Sequence, residues 1–284
     1  MSRKSEIESL VYLLDDPDPT VQEAVKKRLF ELGEQAVPLL DQQRNSIKDD
    51  SERALINDII RSITVGSVEE DFVGLLENGL ANMKQLEDAV FMLSRFDTPT
   101  LRVLEYKRKL DHFADSIYAK IRYEPDANKQ MHGLLNYVFE ELEFSGATAD
   151  YYHPDNAYLD RVIDRRRGLP ISLAFIVLFL ARRLELPFHG INMPIHFMLM
   201  FQSPKEEIFI DPFDHGKTVS YDQCHYFLTQ NGIEPESTHF NKIGPTRMLG
   251  RCIRNLINSY KRNKNEQKAR ELKKLLYTLE TMRL

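Results

Sequence analysis

Only two of the 284 residues are cysteine, Cys224 and Cys252, and no C-x-x-C pair is present. A disulfide framework and a structural zinc site are therefore not expected, and a reducing compartment, the cytoplasm, fits. Basic residues are not in excess: 43 acidic against 38 basic side chains leave a formal charge of −5, far from the balance that nucleic-acid binding usually needs. The opening MSRKSEIESL holds no apolar run of signal-peptide length, so export is not expected. Long hydrophobic runs are missing too, with one exception. The stretch RRRGLPISLAFIVLFLARRLELP at 165–187 contains thirteen residues, 169–181, with a single hydroxyl among them. At about 1.5 Å per helical residue this run reaches roughly 20 Å, short of the ~30 Å hydrocarbon layer of a membrane. A helix apolar on every side and bounded by charges reads instead as the buried central helix of a globular domain.

What is present is a real core and more than one module. Hydrophobic content of 42% in a chain of 284 residues suits one large domain with an appendage, or two domains. Apolar residues at Leu10, Leu13 and Leu14, a break at 15–19, and a second run at Val21, Ala24, Val25, Leu29 and Leu32 spell helix, turn, helix. Asp18-Pro19-Thr20 starts the second helix and Gly33 is placed to end it. The pair resembles a HEAT-type repeat, which must stack on a neighbour to bury its face. Helical spacing then recurs over 51–63, 68–80 and 85–96, and Asp97-Thr98-Pro99 is read as the start of a long helix to about Ile121. Further helices are expected over 128–144 and 156–166. Strands arrive only after the apolar helix, over 188–192, 196–201 and 207–210, as a small antiparallel sheet. Ser220 and Gln223 have capping-box spacing and open a helix over 223–230. An antiparallel helix pair, 247–260 and 266–281, closes the chain.

Four short motifs occur in order: Asn156-x-Tyr158-Leu159, Arg165-Arg166-x-Gly168-x-Pro170-Ile171-Ser172-Leu173, Pro194-x-His196-Phe197, and Ile210-Asp211-Pro212-Phe213. With the helix pair that follows, they resemble the SirB family, a branch of the transglutaminase-like superfamily, over about 151–279. The resemblance implies a mostly helical α+β fold with a papain-like core at 126–244, a helical region at 1–125, HEAT-like at its start, and a TPR-like pair at 245–284. It also implies a site: in the superfamily a cysteine at the start of the central helix is paired with a histidine on the next strand and an aspartate on the strand after. A helix N-terminus lowers a thiol pKa, the imidazole holds the ion pair, and the carboxylate orients it. His196 matches the histidine and Asp211 the aspartate. Pro170 falls where the cysteine belongs, and Ile195 stands where the family usually has glycine. Asn156, Tyr158, Arg167, Pro170, Ser172 and Asn192 make up the candidate binding set around that couple.

Each candidate has a plainer reading. Ser172, two residues beyond Pro170, is turned away by about 200° on a helix, and a first-turn hydroxyl usually satisfies local backbone. Cys224 and His225 diverge by about 100° as helical neighbours, so both cysteines read as buried thiols. His153, His189 and His215 lack metal-ligand spacing, and no metal or cofactor is expected. Carboxylates at Asp155, Asp160 or Asp164 are the expected partners of the triple arginine. The last 24 residues carry eight basic and three acidic side chains, read as a solvated face. These readings add up to a non-catalytic or regulatory protein whose partner is another protein or peptide, without membrane or nucleic acid. The rival is a hydrolase or acyl-transfer enzyme in which His196 and Asp211 activate water or a substrate hydroxyl.

Overall fold

The computed structural model describes residues 3–203 and 205–282. Packing divides the chain into two compact units, one of residues up to Gly74 with Met92–Leu101, the other of Leu75–Phe91 with residues from Arg102 onward.

The first unit holds α1 (Arg3–Tyr12), α2 (Pro19–Leu32), α3 (Val37–Ser46) and most of α4 (Asp50–Glu77). Its second helix begins as its sequence dictates: the Asp18 carboxylate accepts the Thr20 N–H at 2.9 Å, Pro19 takes the first turn, and Gly33 closes the helix at φ 58°. A proline has no N–H to waste there, and glycine adopts that left-handed angle without a Cβ clash. Val25, Leu29, Leu40, Ile56 and Ile60 meet in its core. The two helices expected over 51–63 and 68–80 are one continuous α4. Its buried face, Ile56, Ile59, Ile63, Val68 and Phe72, runs straight through the weak helix formers at 64–67. There Thr64 donates its hydroxyl back to the Ile60 carbonyl at 2.8 Å, which keeps its polar group inside the helix.

Next come α5 (Met83–Asp97) and α6 (Val103–Ile121). The long helix does not start at Pro99. Leu101 N–H donates to Thr98 O at 3.0 Å, so Pro99 occupies the second position of a tight turn, another place where its fixed φ is favourable. α7 (Ala127–Asn136) runs into a π turn over Tyr137–Glu141, where Leu142 N–H reaches back five residues to Tyr137 O. α8 (Leu159–Arg165) is shorter than expected. Arg166 ends it at φ 58°, its guanidinium lying over the rings of Phe113 and Phe144 at 4.8 and 4.6 Å. Arg167 and Gly168 then leave the helix as β2 (Arg167–Gly168), paired in parallel with β1 (Ser145–Gly146).

α9 (Pro170–Arg183) is the apolar helix, and every residue from Pro170 to Ala181 is buried. No helix among the described residues is long and apolar enough to cross a membrane. Phe175 and Phe179 stack at 5.5 Å. Each such side chain removed from water contributes about 1.5–3 kcal/mol, which explains why the helix sits at the centre rather than the surface. Its arginine-rich C-terminal end is anchored by one buried acid the apolar pattern did not reveal. Arg182 Nη2 donates to Glu87 Oε2 at 3.1 Å, and Arg183 holds both Glu87 oxygens at 2.6 and 2.9 Å.

Around α9 lies an antiparallel sheet of five strands rather than three, in the order β6-β5-β4-β3-β7: β3 (Phe188–Ile191), β4 (Met198–Gln202), β5 (Glu207–Asp211), β6 (Lys217–Val219) and β7 (Lys242–Ile243). The two edge strands have two and three residues, too short to show alternation in sequence. α10 (Tyr221–Gln230) carries the capping box at Ser220 and Gln223, and α11 (Pro245–Arg262) packs along α12 (Glu266–Thr281). The architecture is mostly helical α+β with a small antiparallel sheet.

Candidate functional site

The sequence candidates fall at the start of α9 and in the loop before β4. Pro170 is the first residue of α9 and is buried. A proline there offers no side-chain donor, acceptor or nucleophile, only a φ suited to a helix start.

His196 lies in the loop two residues before β4, not on a strand. Its Nε2 is 2.8 Å from Asp211 Oδ1, at the end of β5. The same carboxylate oxygen accepts the N–H groups of Phe213 at 2.8 Å and Asp214 at 3.2 Å. Burial would raise the Asp211 carboxyl, but the His196 bond and charge and the two backbone donors outweigh it, holding it below the ordinary carboxylate range. With Nε2 committed to the carboxylate, Nδ1 is the nitrogen left for chemistry or for a ligand. The imidazole sits between two rings, Phe213 at 6.2 Å edge-on and Phe227 at 5.6 Å. Phe213 in turn meets Tyr151 at 5.9 Å. Its ring and carbonyl pass so close to β1 that a Cβ on Gly146 would meet them at 2.8 Å. The His196 side chain keeps 17% of its surface open to solvent.

Ile195 determines how His196 is presented. Its φ is 55°, and His196 N–H donates across it to Pro194 O at 2.6 Å, closing a three-residue turn. A β-branched residue in that region is strained, whereas a glycine would not be. The Ile195 side chain is 55% exposed beside the imidazole.

The candidate binding set divides sharply. Asn156, Tyr158, Pro170 and Ser172 are buried in the core and do not line a groove. Asn156 organises its loop instead, donating to Asp150 O at 2.5 Å and accepting from Arg165 Nη1 at 3.1 Å. The Tyr158 hydroxyl meets that of Tyr260 at 2.9 Å, joining the start of α8 to α11. Ser172 donates to Ala157 O at 3.4 Å and is fully enclosed, as a first-turn hydroxyl bonded to backbone. Arg167 is exposed. Asn192 is half-buried and accepts Arg251 Nη1 at 2.7 Å. Of the triple arginine, Arg165 reaches Asp155 at 3.8 Å, while Asp164 takes Lys109 at 2.6 Å.

Neither thiol is poised for attack. Burial, with the Asp211 charge adding to it, pushes the Cys224 thiol up to about 11, and burial pushes Cys252 up to about 12. An activated cysteine requires the opposite direction. Phe227 and Arg251 were not among the sequence candidates, because they sit on α10 and α11 in ordinary helical patterns; Phe213 was visible only as the last letter of a motif.

The arrangement is a buried central helix followed by a histidine in the loop before β4 and an aspartate at the end of β5, joined by a hydrogen bond. Residues 104–254 match the transglutaminase-like superfamily model, more than half of the chain, and the chain belongs to that superfamily. Its relatives include human F-box only protein 21, 31% identical over 153 residues, 51% of this chain and 24% of that protein. The UPF0162 proteins of Xylella fastidiosa and Pseudomonas aeruginosa are each 28% identical, over 62% and 60% of this chain and 64% and 63% of their own length. The chain thus spans about a quarter of the F-box relative and under two thirds of the bacterial ones. No solved structure matches it.

Proposed function

We propose that this chain is a cytoplasmic, non-catalytic recognition protein of the SirB branch, one that uses the cleft of a transglutaminase-like core to hold a protein or peptide. The HEAT-like helices at the start and the TPR-like pair at 245–284 would serve as its flanking interaction modules. The observation that carries the reading is Pro170 at the first turn of the central helix, with both thiols buried and raised in pKa. A base–carboxylate couple without a nucleophile can still hold a ligand: the imidazole offers Nδ1, and Phe213, Phe227 and exposed Ile195 offer apolar surface. The test compares ester and amide hydrolysis, and amine incorporation into a protein acceptor, for the native chain and His196→Ala. Equal background rates are expected. A rate that falls with the substitution overturns the reading.

A second reading has one specific observation in its favour. The His196–Asp211 bond is intact at 2.8 Å and the imidazole reaches solvent, the geometry a general base acting on water would need. Its signature is a sigmoid or bell-shaped pH–rate profile that disappears in His196→Ala.

A further inference from the structure

The α11 face that looks toward the loop after β3 carries three arginines, Arg247, Arg251 and Arg254, spaced four and three residues apart so that they share one side of the helix. Only one of them has an acidic partner among the described residues: Arg254 pairs with Glu280. The Arg247 residue is exposed, and its side chain makes no hydrogen bond or ion pair among the described residues. Arg251 is half-buried, yet both of its hydrogen-bond acceptors are neutral, Asn192 Oδ1 at 2.7 Å and Met193 O at 2.8 Å, with the Phe197 ring at 5.5 Å. Burial lowers its pKa to about 10, with Tyr151 opposing and Arg254 adding to the fall. A guanidinium taken from water without a counter-charge is costly, and such groups are normally paired.

A cavity of about 350 Å³ opens at this place, lined among others by Asn192, Arg247, Gly250, Arg254 and Glu280. Gly250 keeps its floor low: a Cβ there would stand 3.3 Å from Arg254 Nη1. Asn192 joins the cavity to Arg251. Its oxygen is engaged by that arginine, and its amide nitrogen makes no hydrogen bond among the described residues, which leaves donors at the wall. Three arginines against one glutamate give an excess of positive charge in a chain whose overall formal charge is −5.

We propose that this cavity is the anchoring site for an acidic peptide segment, whose carboxylate is bound by Arg247 and by the amide of Asn192, which Arg251 holds in place from behind. Forked guanidinium donors fit a carboxylate in two-point contact. Asn192 and Met193 are four and three residues before His196, so a side chain held here lays its backbone along the loop that presents the imidazole. The inference rests on the reading that the chain recognises a protein segment, and it names the chemistry of that segment. Peptide is favoured over nucleic acid because no aromatic side chain lines the cavity on which a base could stack.

Fluorescence anisotropy with three labelled probes tests this: a decapeptide alternating Glu and Gly, its Lys and Gly counterpart, and a ten-nucleotide oligothymidine. The expected result is saturable binding of the Glu probe alone, weakened at least tenfold by Arg247→Met and by Gly250→Met. The first removes a charge that supports no contact within the fold; the second fills the cavity and leaves the charge intact. Arg251→Met should do the same, with a thermal melt confirming that the chain remains folded. Equal affinity in the native chain, Arg247→Met and Gly250→Met overturns the site, as does tighter binding of the oligonucleotide or no saturable binding of the Glu probe. Failure of the wider reading looks different: it is turnover that depends on His196, whichever probe binds.

Discussion

The His196 imidazole and the Asp211 carboxylate meet through Nε2 and Oδ1 at 2.8 Å, and the backbone of Phe213 and Asp214 closes on that same oxygen. Burial opposes the ionised acid, and these three donors reverse its effect, so the folded pKa lies below the ordinary value of 3.8. A depressed carboxyl contributes stability that is complete above its unfolded pKa and is lost as pH falls through the lower, folded one. Asp211→Asn should therefore cost about 1.5–3 kcal/mol at neutral pH, the range for hydrogen bonds to charged groups. The deficit should hold from pH 7 to about 5 and shrink as the pH drops below 3.8. Urea titrations of both proteins across that range check it; a gap that does not narrow in acid contradicts it.

Ile195 at φ 55° is exposed, so little packing repays the strain of its turn. Replacing it with glycine removes a penalty of about 1–2 kcal/mol and adds roughly 0.5–1 kcal/mol of backbone entropy lost on folding. A net gain near 0.5 kcal/mol is expected, visible as an apparent Tm about 1–2 °C higher. A lower Tm would show that the isoleucine side chain supports the loop.

Tyr158 and Tyr260 share a hydrogen bond of 2.9 Å between buried hydroxyls. Each Phe substitution should destabilise by about 1 kcal/mol, and the double variant by less than the sum, since the bond between the two hydroxyls can be lost only once. Strict additivity in a double-mutant cycle contradicts the contact.

Glu87 is buried and gathers Arg182 and Arg183 at the end of the central helix. Glu87→Gln leaves Arg182 undercompensated and Arg183 with Asp111 alone at 2.7 Å, and should cost about 2–4 kcal/mol, below the full value for a buried pair because Arg182 remains partly in water and Arg183 keeps that second acid. Adding Arg183→Met should recover part of the loss. Chemical denaturation of the two variants measures both.

The sequence exposed these features unevenly. The buried helix at 170–183 was plain from its apolar run, and the Asp18-Pro19 start and the Ser220–Gln223 box from local capping chemistry. The His196–Asp211 contact followed from family motifs fifteen residues apart, which no periodicity could have supplied. Pro99 misled because proline suits a turn as well as a helix start, and α4 was divided because propensity at 64–67 is overridden by a continuous buried face. Asn156, Tyr158 and Ser172 carry polar atoms, so they resembled ligand contacts; their partners are groups of the fold, invisible until it is formed. Arg251 and Glu87 were hidden for the same reason, their roles set by elements far away in the chain.

The most direct test of a fold without a reactive nucleophile is native-state alkylation by iodoacetamide at pH 7.5, followed by intact-mass measurement. Both thiols are buried and raised in pKa, so the folded chain should remain unmodified while the denaturant-unfolded chain takes up two adducts, one for each of its 2 cysteines. A single adduct forming in the folded protein faster than on free cysteine, and slowed by His196→Ala, would contradict it.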